Sequence, residues 1–376
     1  MKNLPEGWEI KKLGDITNNF DGKRKPLSRE VRSKRKGEFR YYGATEIVDH
    51  INDYIFDGEY LLIGEDGANL LSKNRDLAFI VKGKFWVNNH AHVLNTKDFC
   101  DINYLCYYFN SLNINEFVTG TAQPKLNQAN LNKIPINLPP LETQQRIVSK
   151  IEELFSELEK GVEELKKSLE QLKVYRQSVL KWAFEGRFTN ENVKEGELPE
   201  GWEVKELGQV FRVSSGKGIK INQLKGGEYP VYGGNGLNGF HTEYFIEENV
   251  LIIGRVGVKC GITHITKPKS WVSDNALIVK PIINNFNIQF FKLRLEFENL
   301  NKLSVSTAQP VISGNSIYSV TLGIPPFEEQ HQIVKEIESR LSVADKMEEQ
   351  IKTSLQQAEA LKQSILKKAF SGELVK

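Results

Sequence analysis

Leu4-Pro5-Glu6-Gly7-Trp8-Glu9 opens the chain, and Leu198-Pro199-Glu200-Gly201-Trp202-Glu203 opens it a second time. A repeat of this length is sought before any local pattern, because it says that one structural unit is present twice. Five further matches follow in the same order. Leu62-Ile63-Gly64-Glu65-Asp66-Gly67 pairs with Ile252-Ile253-Gly254-Arg255-Val256-Gly257, and Trp86-Val87-Asn88-Asn89-His90-Ala91 with Trp271-Val272-Ser273-Asp274-Asn275-Ala276. Thr121-Ala122-Gln123-Pro124 pairs with Thr307-Ala308-Gln309-Pro310, and Pro139-Pro140-Leu141-Glu142 with Pro325-Pro326-Phe327-Glu328. Last, Gln177-Ser178-Val179-Leu180-Lys181 through Phe184 pairs with Gln363-Ser364-Ile365-Leu366-Lys367 through Phe370.

The spacings divide each copy into two kinds of chain. Trp8 to Gln123 spans 115 residues and Trp202 to Gln309 spans 107, so this part accepts insertions. Gln123 to Phe184 and Gln309 to Phe370 both span 61. Loops on a globular surface tolerate length changes. A packed helix does not, since one inserted residue turns everything beyond it by about 100°. Each half therefore reads as a globular domain followed by a length-locked helical rod.

In the first rod, about 142–184, apolar residues fall at Ile147, Ile151, Leu154, Leu158, Val162, Leu165, Leu169 and Leu172. Steps of three and four mark an amphipathic helix. The second rod, about 328–370, repeats this through Ile333, Ile337, Leu341, Ala344, Ile351, Leu355, Ala358, Leu361 and Ile365. At 1.5 Å per residue each is roughly 60 Å long. A lone helix of that length with one apolar stripe needs a partner, and the simplest is the other rod in an antiparallel coiled coil. The double prolines punctuate the helix starts and Gly186 a stop. The globular units alternate apolar runs (Tyr60–Ile63, Ala78–Val81, His92–Leu94, Val250–Ile253, Ala276–Val279) with short helical stretches at 102–109 and 288–297. The expected class is α+β: two mixed α/β domains in tandem, 1–138 and 191–324, joined by two long antiparallel helices, 139–190 and 325–376, as a pseudo-twofold internal repeat.

Among 376 residues, 40% are hydrophobic and 26% charged, with a net charge of +2. A nucleic-acid role then needs local basic patches, not bulk charge. The first unit has one: Lys23, Arg24, Lys25, Arg29, Arg32, Lys34, Arg35 and Lys36, among prolines, serines and glycines that read as a loop. Such a loop neutralises several phosphates; the bland reading is a solvated surface run. Lys217, Lys220 and Lys225 lie in a glycine-rich loop at the equivalent place. The Gly64–Gly67 and Gly254–Gly257 segments allow a tight turn or a close backbone approach to a ligand. Arg255 there is a candidate for guanine readout, while Glu65 and Asp66 could accept from cytosine or orient an arginine. Asn88, Asn89 and His90, against Ser273, Asp274 and Asn275, either read base edges or satisfy loop backbone. Gln123 and Gln309 are similar, and their motif can instead brace the junction with the rod.

Catalytic and metal chemistry is thin. The chain has no GxxxxGK[ST] phosphate loop and no carboxylate–lysine cluster of nuclease type. Asn137-Leu138-Pro139-Pro140-Leu141 has the wrong order for an amino-methyltransferase motif. The three cysteines, Cys100, Cys106 and Cys260, lack metal-ligand spacing and read as free thiols in a reducing compartment. The N-terminus has no apolar signal core and no run reaches membrane length, so a cytoplasmic protein is expected.

Taken in order and duplicated, the Leu-Pro-Glu-Gly-Trp openings, Gly-Thr-Ala-Gln-Pro at 120–124 with its partner at 307–310, Pro-Pro-Leu-Glu-Thr-Gln-Gln-Arg-Ile-Val at 139–148 with Pro-Pro-Phe-Glu-Glu-Gln-His-Gln-Ile-Val at 325–334, and the segments 172–184 and 361–370 resemble the specificity subunits of type I restriction–modification systems. The resemblance covers the whole chain. It implies two target-recognition domains, each reading half of a bipartite DNA site, spaced by the helices. It implies assembly with two methyltransferase and two motor–nuclease (restriction) subunits, and Ile147, Ile151, Ile333 and Ile337 are the expected partner-binding positions. S-adenosylmethionine, ATP and magnesium would belong to those subunits, with no cofactor, metal or catalytic residue on this chain. Rival readings are a stand-alone DNA-binding regulator, which would bind its site tightly by itself, and a non-catalytic scaffold, which would show no salt-dependent DNA binding. A recognition chain serving a fused restriction–methylation enzyme differs little in mechanism.

Overall fold

A computed structural model of the chain describes residues 4–375 except 121, 191, 195, 221–223, 225, 258 and 305–309. The chain forms two compact units, residues 1–166 with 352–376, and residues 167–351. Both long helices are continuous across that division: Leu141–Phe184 and Phe327–Phe370, each of 44 residues.

In the first unit a six-stranded sheet runs in the order Thr17–Asn19, Ala91–Thr96, Phe56–Gly64, Ala78–Val87, Lys36–Tyr42, Ile47–Ile51. All pairs are antiparallel except Lys36–Tyr42 with Ala78–Val87, which sets Tyr41 beside Trp86. The β-branched and aromatic runs alternate across this sheet. One face, with Leu61, Ile63 and Leu94, packs on the helix Ile102–Ser111. The other buries Leu62, Phe85 and Val93. Glu9–Lys12 pairs with Pro135–Leu138 as a separate ribbon.

The second unit repeats the plan with one break. Its sheets are Phe211–Ser215, Ala276–Pro281, Leu251–Gly254, Thr263–Ile265 and, separately, Gly236–His241, Tyr229–Gly233, Trp271–Val272. The single strand Ala78–Val87 of the first unit corresponds to two short strands here. Between them lie Pro268, which has no N–H for a ladder, and Lys269 in the left-handed region at φ 51. In the first unit Gly83 takes φ 83 without ending the strand. The parallel pair survives, now with Val231 beside Trp271.

Low-numbered residues of one helix meet high-numbered residues of the other within each unit, which makes the pairing antiparallel. In the first unit Phe155, Leu158 and Val162 face Leu355, Ala358 and Lys362 across a groove. In the second unit Arg176 bridges to Asp345 at 2.7 Å and Glu348 at 3.0 Å. The stripe expected through Leu361 is displaced: Leu361 is half exposed, and the four-residue step from Ala358 leads to Lys362, whose ammonium lies 5.2 Å from the Phe155 ring centre. A lysine stem covers apolar surface while its charge stays wet.

Each helix starts in one core and ends in the other. Ile147, Ile151 and Phe155 belong to the first core, and Ala183 and Phe184 to the second. Conversely Ile333 and Ile337 lie in the second core and Ala369 and Phe370 in the first, where Phe370 stacks edge-on against Tyr108 at 4.9 Å. The four isoleucines expected to bind partners are therefore corrected to core residues, 0–1% exposed.

Two buried glutamines fix the helix starts. Gln144 Oε1 accepts the Asp101 N–H at 2.8 Å, and its Nε2 donates to the Phe99 and Pro139 carbonyls. Gln330 repeats all three bonds with Asn287 N–H and the Asn285 and Pro325 carbonyls. A fully satisfied buried amide of this kind sets the angle at which helix leaves domain.

Candidate nucleic-acid interface

The two basic stretches lie beside the parallel strand pair of each unit. The first is not wholly a loop, as its composition suggested. Arg29–Ser33 forms a short helix capped by the Ser28 hydroxyl, and Lys36 already begins a strand. Serine is a strong helix cap whatever the surrounding glycines and prolines favour. The stretch is tied down from the sheet. The Trp86 indole N–H donates to the Lys25 carbonyl at 2.6 Å, and the Leu27 N–H donates to the Tyr41 hydroxyl at 2.9 Å. In the second unit the Trp271 indole N–H donates to the Lys217 carbonyl at 3.0 Å, and the Lys217 N–H to the Val272 carbonyl at 2.9 Å.

The basic side chains have different fates. Lys23, Lys25 and Arg29 are exposed, with the Lys23 ammonium 5.3 Å from the Phe20 ring centre. Lys34 pairs with Glu30 across one helical turn at 2.6 Å and stays exposed. Arg32 and Lys36 both hold Asp49, at 3.2 and 2.5 Å; the Lys36 bond foremost, with the His50 N–H and Arg32, holds that carboxyl down at about 2. Arg35 pairs with Asp53 at 2.9 Å and stacks on Trp86. Arg24 is corrected from DNA contact to internal strut: its guanidinium bonds Glu65 at 2.6 Å and the Ala91 carbonyl at 2.7 Å. A run of like charges next to buried carboxylates gives up some members to them, which composition alone does not reveal.

Arg24 belongs to a buried ionic network. His92, 1% exposed, meets Asp21 at 2.6 Å through Nδ1 and the Leu126 carbonyl at 2.7 Å through Nε2. Lys125 reaches Glu65 at 3.1 Å. Burial pushes the Asp21 and Glu65 carboxyls up, but the hydrogen bonds and charges of His92, Arg24 and Lys125 outweigh it and hold both below their ordinary values. Asp21, Glu65 and His92 are the one group among the described residues with metal-ligand spacing. Arg24 already stands between the two carboxylates, so the network carries its own cation.

The glycine turns are built alike in both units. The Glu65 N–H donates to the His90 carbonyl at 2.8 Å and the Arg255 N–H to that of Asn275 at 2.9 Å. Leu126 and Ile312 return N–H bonds to the Glu65 and Arg255 carbonyls, and Gly67 and Gly257 donate to the Pro124 and Pro310 carbonyls. Pro124 and Pro310, the last residues of the Thr-Ala-Gln-Pro motif, thus brace the glycine turn. Gln123 is exposed beside it, while Gln309 lies outside the described residues.

On these identical frames the side chains differ. The first turn carries Glu65, neutralised inside, and Asp66, paired with exposed His90 at 2.8 Å. The second carries Arg255, partly exposed, whose guanidinium lies 3.5 Å from the Ser215 hydroxyl. Asn88 is corrected to a turn brace: it is 8% exposed and its side-chain oxygen accepts the His90 N–H. Asn89 and Asn275 are exposed, as are Lys217 and Lys220; Lys225 lies outside the described residues.

A family model for the type I restriction modification DNA specificity domain matches residues 5–170 and 199–357. The chain belongs to this family. Like other specificity subunits it recognises DNA sequence and is not itself catalytic. A Haemophilus influenzae chain named as type I restriction enzyme specificity subunit S.HindORF215P is 30% identical over 96% of this chain and 94% of its own length. The EcoDI specificity subunit of Escherichia coli is 22% identical over 99% of this chain and 89% of its own. Among solved structures, a chain from a study of assembly and conformational transition of the type I restriction–modification system covers 99% of the specificity subunit and 100% of itself, with TM-score 0.76 and 19% identity. The HsdS subunit of Thermoanaerobacter tengcongensis gives TM-score 0.62 at 18% identity, covering 99% and 98%. These two show the fold. No helix among the described residues of the specificity subunit is long and apolar enough to cross a membrane.

Proposed function

We propose that residues 1–138 and 191–324 are two target-recognition domains, each reading one half of a bipartite double-stranded DNA site, and that 139–190 and 325–376 set the spacing between the halves. The observation that carries this reading is the pair of glycine turns: one backbone frame, built twice, turns Glu65 inward and presents Asp66 in one copy, and presents Arg255 in the other. A frame kept constant while its side chains reverse in charge suits two readers of different sequences. Arg255 pairs with guanine and Asn89 and Asn275 with base edges, while Lys23, Lys25, Arg29, Lys34, Lys217, Lys220 and Lys225 contact phosphates.

With a net charge of +2 the chain has little bulk attraction for DNA, and partner subunits add phosphate contacts. The partners are two methyltransferase and two restriction subunits in the cytoplasm, and S-adenosylmethionine, ATP and magnesium act on those. Replacing residues 1–138 with the corresponding domain of another specificity subunit tests the division of labour. One half of the methylated motif changes and the other is retained. A change in both halves contradicts the assignment.

A further inference from the structure

We propose that Trp86 and Trp271 are positioning residues for DNA reading: each indole N–H fixes the register of a lysine-bearing loop against the sheet beneath it. The proposal rests on the reading of the basic loops as DNA contacts.

The two loops share neither sequence nor length, yet each offers a main-chain carbonyl to the same tryptophan. Trp86 takes that of Lys25 at 2.6 Å and Trp271 that of Lys217 at 3.0 Å. Both lysines are exposed, so the clamped residue carries the charge that faces solvent. A bond to backbone is indifferent to the side chain above it. Loop sequences can therefore diverge, as specificity requires, without loss of the hold. Both indoles leave from the same place, the parallel strand pairs Tyr41–Trp86 and Val231–Trp271.

The two indoles are packed differently but bonded alike. Trp86 is 4% exposed and stacked by Arg35, whereas Trp271 is only partly buried and lies edge-on to Phe245, yet each N–H reaches a loop carbonyl. A loop held in register before binding avoids part of the ordering cost on the DNA. The copies differ in their second hold, which in the second unit is the main-chain bond from the Lys217 N–H to the Val272 carbonyl. The Tyr41 hydroxyl gives the first loop a second side-chain hold through the Leu27 N–H, whereas Val231, at the matching position, has no polar group.

The test uses the full chain assembled with its methyltransferase. Methylation rates are measured on the cognate duplex and on duplexes altered at one base pair in either half-site. Trp271→Phe is expected to cut discrimination at the second half-site about three- to tenfold, the scale of one lost hydrogen bond, and to leave the first untouched. Trp86→Phe acts in the same way on the first half-site alone, and adding Tyr41→Phe, which removes the second side-chain hold, deepens the loss there. Because Trp86 is buried, β-(3-benzothienyl)alanine at that position, which keeps the ring shape and lacks the N–H, separates the bond from the packing. Discrimination kept at both half-sites, or lowered equally at both, overturns the positioning role. Lys217→Ala with Lys220→Ala addresses the underlying reading: if that pair leaves DNA binding and discrimination unchanged, the basic-loop assignment fails, and the positioning role with it.

Discussion

Gln144 has no exposed surface and three hydrogen bonds, all to the main chain of its own unit. Gln144→Leu leaves one N–H and two carbonyls unpaired, at about 1–3 kcal/mol each when buried. The expected loss is ~3 kcal/mol or more, read as a lower urea midpoint, with Gln330→Leu behaving alike. The buried carboxylates act through pH. Asp21 and Glu65 are depressed in the folded chain from ordinary values of 3.8 and 4.5. Their contribution is present above those values and lost as the pH falls through the depressed ones. The thermal midpoint of the first unit should drop as the pH falls below those ordinary values, and Asp21→Asn should flatten that slope. These residues were not legible as a set. Asp21, Glu65 and His92 are scattered in sequence, and only strand pairing brings them together. Trp86 and Trp271 were visible as landmarks of the repeat, but nothing in the sequence shows that an indole faces a loop carbonyl.

At the scale of elements, both long helices were legible almost to the residue. Sixty-one residues separate Gln123 from Phe184 and Gln309 from Phe370, and the structure supplies the reason: each helix is anchored in a core at both ends. Their apolar stripes were legible as stripes, but the sequence could not say where the stripe meets a domain core and where it meets the other helix. Ile147 and Ile333 look the same as Leu158 by periodicity, and only packing separates them. Four residues inserted near Leu165 lengthen the helix by about 6 Å. The expected outcome, read from the methylated motif, is a changed spacer or lost recognition with both half-sites unaltered. A changed half-site would mean that the helices take part in reading.

For the whole molecule, the repeat decided the architecture. Two openings at Leu4 and Leu198, followed by matched motifs, gave two domains and two rods before any strand was placed. Strand order, the split of Ala78–Val87 into Thr263–Ile265 and Trp271–Val272, and the choice of which cations stay free came only from tertiary contacts. The measurement that bears most directly on the central claim is methylome sequencing of a host expressing the neighbouring methyltransferase with and without this chain. A bipartite methylated motif that appears only with the chain is the predicted result. Methylation that is unchanged by the chain, with the methyltransferase active, would contradict the account.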